Sequence, residues 1–279
     1  MTSVGTGELV IPGSREEAIA AFGDGEGVTV FGGGTILMPE LNYGRIRPER
    51  TILLHAAGLD GIRRDGSTLT IGAMTAVADL VGSVEPLATA ARYVGDPEIR
   101  AQATIGGNLS APVSAENPRG DLQAALIALG ARVCFADRDG ERTEPVEDFL
   151  NGAADGRLVL EVEVDEPLRA AHAALRRPHA HTFTILAACA AETSDGIRIG
   201  LTGAAERALR AHAVERAISD GAAPEEAADR VLDDARPIDD ALASAWYRER
   251  MLPIVVRRAI EGLRDEHGTR SDRGKGNTT

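Results

Sequence analysis

The feature that most constrains this sequence is a run of three glycines placed directly after a short apolar segment. The segment Val28–Phe31 is β-branched and aromatic, and it stops at the glycines. Such a pattern is typical of a buried strand that delivers the chain to a special loop. Consecutive glycines let the backbone approach a bulky anion, and their N–H groups can form an anion-binding concavity. The loop therefore predicts a phosphate site, and the alternative is a glycine-rich turn without a ligand. The candidate contacts are Gly32, Gly33, Gly34, Thr35 and Ile36.

A second glycine pair occurs about seventy residues later, in the segment Ala103–Ser110. It places a hydroxyl, two glycines and an amide within five residues, so it again offers several donors to phosphate oxygens. Asp121 follows and could accept a hydrogen bond from a ribose or ribityl hydroxyl, or else act as a helix N-cap or first-turn acid. Neither segment is a P-loop or a Rossmann fingerprint, so the two standard nucleotide modes are disfavoured. The candidate contacts in this segment are Thr104, Gly106, Gly107 and Asn108.

Hydrophobic periodicity predicts a mixed α+β architecture for the first part of the chain. Ser14 can cap a helix that begins at Arg15, and this helix between two strands gives a β-α-β start. The predicted strands cover residues 28–31, 51–54, 68–72, 131–136 and 158–164. The predicted helices cover residues 15–22, 77–80 and 121–129.

The basic, alanine-rich stretch Pro167–Pro178 predicts a connection, so we place a domain boundary near residue 170. Two further strands joined by an Asp195-Gly196 turn, followed by three helices, predict a smaller domain in which helices cover a sheet. These strands cover residues 182–191 and 197–202, and the helices cover residues 210–219, 223–232 and 246–263. The charged, glycine-rich residues 265–279 predict a frayed tail.

The net charge and the number of cysteines argue against nucleic-acid binding and against an iron–sulfur cluster in this chain. A formal net charge of −13 disfavours binding to nucleic acid, whose affinity rests on Lys and Arg that neutralise phosphates. Cys134 and Cys189 lie in apolar runs, so we expect buried thiols in a reducing cytoplasm; two thiols cannot hold an iron–sulfur cluster, which needs about four. No stretch reaches the roughly 18 apolar residues of a membrane span, and the first ten residues do not resemble a secretion signal.

The order of these motifs resembles the FAD-binding medium subunit of the molybdenum hydroxylases, the carbon monoxide dehydrogenase and xanthine dehydrogenase group. The resemblance rests on the first glycine loop, on Tyr93–Leu109 (Tyr-Val-Gly-Asp-Pro-Glu-Ile-Arg-Ala-Gln-Ala-Thr-Ile-Gly-Gly-Asn-Leu) and on Gly120–Ala131. It continues in Leu69–Thr75 and in Tyr247–Ala259, and so covers nearly the whole chain. It implies an α+β fold: a two-subdomain FAD-binding domain of the para-cresol methylhydroxylase (PCMH) type over residues 1–170, then a flavoprotein C-terminal domain over 171–264.

The resemblance also assigns roles to residues. The two glycine segments would clamp the FAD pyrophosphate from two sides, and Asp121 would bind a sugar or ribityl hydroxyl. Val159 would lie near the adenine or the flavin ring, and His181 falls where the family often places an aromatic against the isoalloxazine. Two departures from the family pattern stand out: residues 115–119 lengthen the spacing between Asn108 and Asp121, and a histidine replaces the aromatic at position 181.

The function implied by the resemblance is an electron-relay subunit. Its FAD would accept electrons from [2Fe–2S] clusters on a small partner chain, in a complex whose large chain holds the molybdenum cofactor, and pass them to NAD, a quinone or dioxygen. No compact constellation of His, Cys or carboxylates suggests an acid–base catalyst, and we do not expect His172, His179 and His181 to bind a metal. Two alternatives are a free-standing FAD-dependent oxidoreductase and a flavin-less scaffold.

Overall fold

The computed structural model describes residues 7–111, 120–152, 156–177 and 184–264. Within these residues the strands form three sheets, two in the first part of the chain and one in the last part. The predicted mixed architecture, an FAD-type first part followed by a C-terminal sheet with helices, is confirmed. The predicted tail over 265–279 lies outside the described residues.

The first sheet is parallel, in the order β1-β3-β2, with β1 at Glu8–Val10, β2 at Val28–Phe31 and β3 at Arg50–Leu53. Helix α1 (Arg15–Phe22) connects β1 to β2 as predicted. The hydroxyl oxygen of its N-cap Ser14 accepts a hydrogen bond from a backbone N–H one turn ahead at 3.2 Å, which satisfies one of the free donors of the first turn. Among the described strands β2 pairs only with β3, so the first glycine segment begins at the edge of this sheet.

The second sheet is antiparallel, in the order β4-β5-β8-β6-β7. Its central strand β8 (Leu158–Asp165) alternates buried valine with partly exposed glutamate, the pattern of a half-buried strand. The other strands are β4 (Ile62–Asp65), β5 (Thr68–Gly72), β6 (Arg132–Asp137) and β7 (Gly140–Pro145). Short helices lie between the strands of these two sheets along the chain. They are α2 (Leu37–Asn42), a 3-10 turn at Leu54–Ala56, α3 (Val77–Leu80), α4 (Leu87–Arg92), α5 (Pro97–Gln102), α6 (Ile105–Leu109), α7 (Gln123–Ala128) and α8 (Val146–Asn151).

The third sheet, in the order β12-β11-β10-β9, corrects one sequence prediction. The stretch predicted as a connection is strand β9 (Arg169–Arg176), which pairs along its length with β10 (Thr184–Thr193). Its alanines show no alternation of polar and apolar residues, so its strand conformation comes from pairing with β10 rather than from a local signal. The next strands are β11 (Gly196–Thr202) and β12 (Leu209–Arg210), and Thr193 pairs with Gly196, so the tight turn is at Ser194-Asp195.

Helices pack on both faces of the third sheet. The long helix α12 (Ala245–Arg264) buries Leu252, Val255, Val256, Ala259 and Ile260 against one face, together with α9 (His212–Ser219), α10 (Pro224–Asp229) and α11 (Val231–Asp234). Helix α7 covers the other face, where a Cβ on Gly200 would lie 2.0 Å from the carbonyl oxygen of Ala124. That approach allows only glycine, and it brings the C-terminal sheet into direct contact with the first part of the chain.

Ion pairs continue this contact at the surface. Glu147 on α8 pairs with Arg198 on β11 and, at 3.4 Å, with Arg210 on β12. Arg207 donates to the carbonyl oxygen of Leu150 at 2.7 Å. The first and last parts of the chain are therefore joined by both a packed and a charged contact.

The two cysteines differ in environment. Cys189 is fully buried, and burial raises the pKa of its thiol above the usual value. Cys134 is only partly buried, which departs from the prediction of two buried thiols, and a guanidinium nitrogen of Arg15 lies 3.4 Å from its sulfur. No helix among the described residues is long and apolar enough to span a membrane.

His172 on β9 is a partly buried histidine at the contact between the two parts of the chain. Its ring lies 5.1 Å from the ring of Tyr93, and burial lowers its pKa to about 4; Glu85 acts in the opposite direction, and the charge of Arg176 lowers the pKa further. The folded state therefore holds His172 neutral at pH 7, whereas the unfolded chain takes up a proton near pH 6.5.

We predict that His172 reduces stability as the pH falls from 6.5 to 4, because only the unfolded state binds the extra proton in that window. The full effect at pH 4 is about 3 kcal/mol, at ~1.4 kcal/mol per pKa unit. Denaturant unfolding of the wild type and of His172→Gln at several pH values measures it. The variant is expected to lose less stability between pH 6.5 and 4, and equal losses in both proteins would contradict the prediction.

Candidate functional site

The first glycine segment leaves the carboxyl end of β2 and enters the first turn of α2, where the N–H of Met38 donates to the carbonyl of Gly34 at 2.8 Å. Of the three glycines, Gly34 has the left-handed backbone, with φ of 72°, and a Cβ there would lie 2.4 Å from the Phe31 ring. A left-handed backbone, which glycine tolerates best, is therefore required at Gly34.

Gly33 has a different reason to be glycine, which corrects the sequence interpretation. A Cβ at Gly33 would lie 1.8 Å from the carbonyl oxygen of Gln102, at the end of α5. The absent side chain thus makes room for another part of the backbone, not for a phosphate oxygen. A Cβ at Gly32 would lie 3.1 Å from the hydroxyl oxygen of Thr104, so the first glycine also borders the second segment.

The backbone donors of the first segment point to a ligand. No described residue accepts a hydrogen bond from the N–H groups of Gly32, Gly33, Gly34, Thr35 or Ile36. All five residues are partly exposed. Several adjacent free N–H groups form the kind of concavity that binds anions.

The second segment contains the short helix α6, and Thr104 is its N-cap. The hydroxyl oxygen of Thr104 accepts a hydrogen bond from the N–H of Gly107 at 3.1 Å. The hydroxyl group can therefore still donate its own hydrogen to a ligand. Gly106 packs on Ala73, where a Cβ would lie 2.9 Å from the carbonyl oxygen. Gly107 is exposed, and a Cβ there would meet nothing nearer than the Thr104 hydroxyl at 3.1 Å. Of the pair, Gly107 is the glycine whose missing side chain leaves space in the cleft.

Asn108 connects this helix to Asp121. Its side-chain oxygen accepts from the N–H of Leu122 at 3.0 Å, and Gln123 donates to the carbonyl oxygen of Leu109 at 3.1 Å. Helix α7 begins after Leu122, which is its N-cap, so Asp121 precedes the helix and is not its cap. The bond from Asn108 therefore holds Asp121 beside the second glycine segment.

Two adjoining cavities meet at these segments. The first cavity, of about 1030 Å³, extends from α1 and the α1–β2 loop to the β6–β7 turn and the start of β8. The second cavity, of about 730 Å³, lies between the first glycine segment, α2 and residues 94–103. Both volumes are of the size that small-molecule sites occupy. The residues that line both cavities are Val30, Gly32, Ile46, Thr104, Gly107 and Ser110.

Each predicted contact within the described residues lines at least one cavity. Gly106 and Val159 line the first, and Gly32, Thr104 and Gly107 line both. Those that line only the second are Gly33, Gly34, Thr35, Ile36, Asn108 and Asp121. His181 lies outside the described residues, as does the lengthened stretch 115–119.

The two cavities differ in chemistry. The second has apolar walls that include Ile36, Leu37, Val94 and Ile99, and its charged lining residues within the described chain are all carboxylates: Glu40, Asp96 and Asp121. The first combines Phe22, Met74 and Val159 with charged residues of both signs, four arginines and five carboxylates. A flat apolar ring system suits the second cavity, and a more polar, solvent-contacting group suits the first.

The sequence interpretation missed one side of the second cavity, which is formed by Val94, Gly95, Asp96 and Ile99. These residues belong to Tyr93–Leu109, one of the stretches on which the family resemblance rests. Their position between the two glycine segments could therefore have marked them as candidate site residues. Among the described residues, no group of three His, Cys, Asp or Glu is arranged to hold a metal ion. His179, like His181, lies outside them.

Comparisons with known proteins match both parts of the chain. Residues 4–166 match the family model described as the FAD binding domain in molybdopterin dehydrogenase, and residues 169–263 match the CO dehydrogenase flavoprotein C-terminal domain. The carbon monoxide dehydrogenase medium chain of Hydrogenophaga pseudoflava is 30% identical, over 91% of this chain and 95% of that one. The 6-hydroxypseudooxynicotine dehydrogenase complex subunit alpha of Paenarthrobacter nicotinovorans is also 30% identical, over 91% and 93%.

A solved structure shows the same fold. It is that of the carbon monoxide dehydrogenase from Hydrogenophaga pseudoflava which lacks the Mo-pyranopterin moiety of the molybdenum cofactor. The match has a TM-score of 0.79 at 30% identity, and it covers 92% of this chain and 96% of that chain.

We predict that the glycines of the site separate into two kinds under substitution. Gly107→Val fills the cleft between the cavities, so its affinity for FAD should fall by about 100-fold, or ~3 kcal/mol, with little change in melting temperature. Gly33→Ala instead forces a Cβ into the carbonyl of Gln102, so it should lose about 1–3 kcal/mol of folding stability. Flavin fluorescence titration and thermal melts measure the two effects.

Gly82→Val is the matched control, because a Cβ at Gly82 meets nothing within 4 Å and the residue lines neither cavity. It should behave like the wild type in both measurements. Wild-type FAD affinity in Gly107→Val, or an unchanged melting temperature in Gly33→Ala, would contradict the assignment.

Proposed function

The chain belongs to the family of FAD-binding medium subunits of the molybdenum hydroxylases, and from that premise we propose that it relays electrons through FAD within a complex. The observation that carries the proposal is the junction of the two cavities, where free backbone N–H groups and the exposed Gly107 converge. FAD has two ring systems joined through a central pyrophosphate. One cavity for each ring, with anion donors between them, fits such a molecule.

We propose that the N–H groups of residues 32–36 and the Thr104 hydroxyl hold the pyrophosphate. Asp121 would accept hydrogen bonds from ribityl hydroxyls at the second cavity, whose apolar walls would hold the isoalloxazine. Val159, in the first cavity, would then contact the adenosine half. This arrangement is supported by the acidic group and apolar walls of the second cavity and by the more polar lining of the first.

The redox chemistry belongs to the cofactor. When bound, FAD would supply the exchange between one-electron donors and a two-electron acceptor, while this chain would supply binding, orientation and limited access. With only two cysteines the chain cannot itself hold the [2Fe–2S] clusters that would deliver the electrons. We propose that a small partner chain holds those clusters and that a large one holds the molybdenum cofactor.

The substrate of the complex would be set by the large chain. The two relatives named above are equally similar to this chain, yet one is named for carbon monoxide and the other for 6-hydroxypseudooxynicotine. If this kind of chain contacted the substrate, its sequence would be expected to differ between complexes that act on different substrates. NAD, a quinone or dioxygen would accept the electrons. The domain boundary near residue 170 and the cytoplasmic location are predictions from the sequence.

The role of Asp121 predicts a selective loss of flavin affinity. Asp121→Asn replaces an acceptor of hydroxyl hydrogens with a weaker one, so the Kd for FAD should rise about tenfold, or ~1.4 kcal/mol. The Kd for ADP, which contains no ribityl group, should stay within about twofold. Fluorescence titration gives the first constant and calorimetry the second.

The matched control is Asp79→Asn, at an exposed carboxylate on α3 that lines neither cavity, and both its constants should equal those of the wild type. An Asp121→Asn protein that binds FAD like the wild type would remove Asp121 from the site.

The proposed relay predicts two partner chains. Affinity purification of the tagged chain from its native host, followed by mass spectrometry and metal analysis, should find one chain with molybdenum and one with iron. A yellow chain that purifies alone and oxidises substrates would instead indicate a free-standing oxidoreductase. A colourless chain that still captures both partners would indicate a scaffold without flavin.

A further inference from the structure

Residues 93–96 connect α4 to α5 and link two distant parts of the molecule. Val94, Gly95 and Asp96 line the second cavity, whereas Tyr93 contacts the C-terminal sheet. We refer to residues 93–96 as the wall segment. Its position beside a cavity and against another sheet makes it a candidate for transmitting structure from one to the other.

Arg100 fixes the cavity side of the wall segment. One of its guanidinium nitrogens donates to the carbonyl oxygens of Val94, at 3.0 Å, and of Gly95, at 3.1 Å, although Arg100 lines neither cavity. The carboxylate of Asp96 caps α5 by accepting from the N–H of Ile99 at 2.8 Å. Gly95 has a φ of 47°, and a Cβ there would lie 2.8 Å from the Ile99 side chain. The segment therefore folds back tightly on α5, and Arg100 holds its carbonyls in place.

The C-terminal sheet fixes the other side. Side chains alternate along a strand, so Ala171, Ala173 and Leu175 of β9 join the core under α12, while His172 and Arg176 lie on the opposite face. That face meets Tyr93. The Arg176 guanidinium carbon lies 4.2 Å from the centre of the Tyr93 ring, a close cation–π contact, and the His172 ring lies 5.1 Å from it.

These contacts matter because the C-terminal sheet supplies no described lining residue to either cavity. All the described lining residues lie between Phe22 and Val159. Among the described residues, the third sheet can therefore affect the shape of the second cavity only indirectly, through contacts such as those between β9 and Tyr93. The first cavity has no lining residue in the wall segment, so it should not share this dependence.

We propose that the wall segment is a strut through which the C-terminal sheet sets the shape of the second cavity, with Tyr93, Arg100 and Arg176 as positioning residues for the flavin half of FAD. The proposal rests on the proposed function, in which that cavity holds the isoalloxazine. Arg100 orients the carbonyls from α5, and Arg176 holds the Tyr93 ring from β9. None of the three needs to touch the cofactor.

The strut predicts effects confined to one half of the cofactor. In Arg100→Gln and in Arg176→Gln, the Kd for FAD and for FMN should rise about tenfold, and the visible circular dichroism of bound FAD should change. The Kd for ADP should stay within about twofold, because the first cavity keeps its lining. Fluorescence titration, calorimetry and circular dichroism on the full chain measure these quantities, and thermal melts show whether each variant is folded.

Two controls bracket the experiment. Tyr93→Phe keeps the ring that Arg176 and His172 contact, so it should bind all three ligands like the wild type. Arg92→Gln removes the neighbouring arginine of α4, which bonds to Glu85, Thr89 and Val81 rather than to the wall segment, and it too should match the wild type. Tyr93→Leu removes the ring and should reproduce the Arg176→Gln result.

The outcomes separate the two proposals. A wild-type chain that binds no FAD would overturn the proposed function itself. If the wild type binds FAD, and the Arg100 and Arg176 variants bind both FAD and FMN as tightly as the wild type does, the strut proposal is wrong. A parallel loss of ADP affinity, FMN affinity and melting temperature would also overturn it, since that pattern indicates general destabilisation.

Discussion

The contact on which the rest of the site depends is the close approach of the first glycine segment to the end of α5. The missing Cβ of Gly33 lets the loop touch the carbonyl of Gln102, at a separation that no side chain permits. Because Gln102 stands two residues before Thr104, this contact fixes the distance between the two sets of backbone donors. The second segment is in turn held to the second sheet, where Gly106 donates to Ala73 at 2.9 Å and Ala73 donates to Leu160 at 2.9 Å. The junction of the cavities is thus a rigid piece of backbone supported by two sheets.

That constraint explains why the glycines are not interchangeable. Gly34 supplies a left-handed turn, Gly33 and Gly106 permit close backbone packing, and Gly107 leaves open space at the cleft. A sequence shows only that a residue has no side chain, and it does not show what occupies the space where the side chain would be. The two glycine segments do border the same pair of adjoining cavities, but the sequence interpretation gave one reason for glycines that have several.

The parts of the fold that the sequence predicted are those whose signals are local. Ser14 and Gly23 bound α1, and the β-branched run before Gly32 marks β2, since capping and turn chemistry act within a few residues. Strand β9 could not be predicted this way, because an alanine-rich stretch becomes a strand only through its pairing with β10. The role of Tyr93 in the wall segment could not be predicted for the same reason, because it depends on a strand about eighty residues further along the chain.

The two cavities therefore depend on different parts of the molecule. The described residues that line the first cavity lie in elements up to β8, so all of them belong to the first two sheets and their connections. The second has a wall that is held from behind by β9, and β9 is itself fixed because Gly200 of the same sheet packs directly on α7. Deforming that wall would require the third sheet to move against α7 and against the ion pairs of Glu147. The C-terminal sheet can thus stabilise the shape of the second cavity without contributing a described residue to its surface.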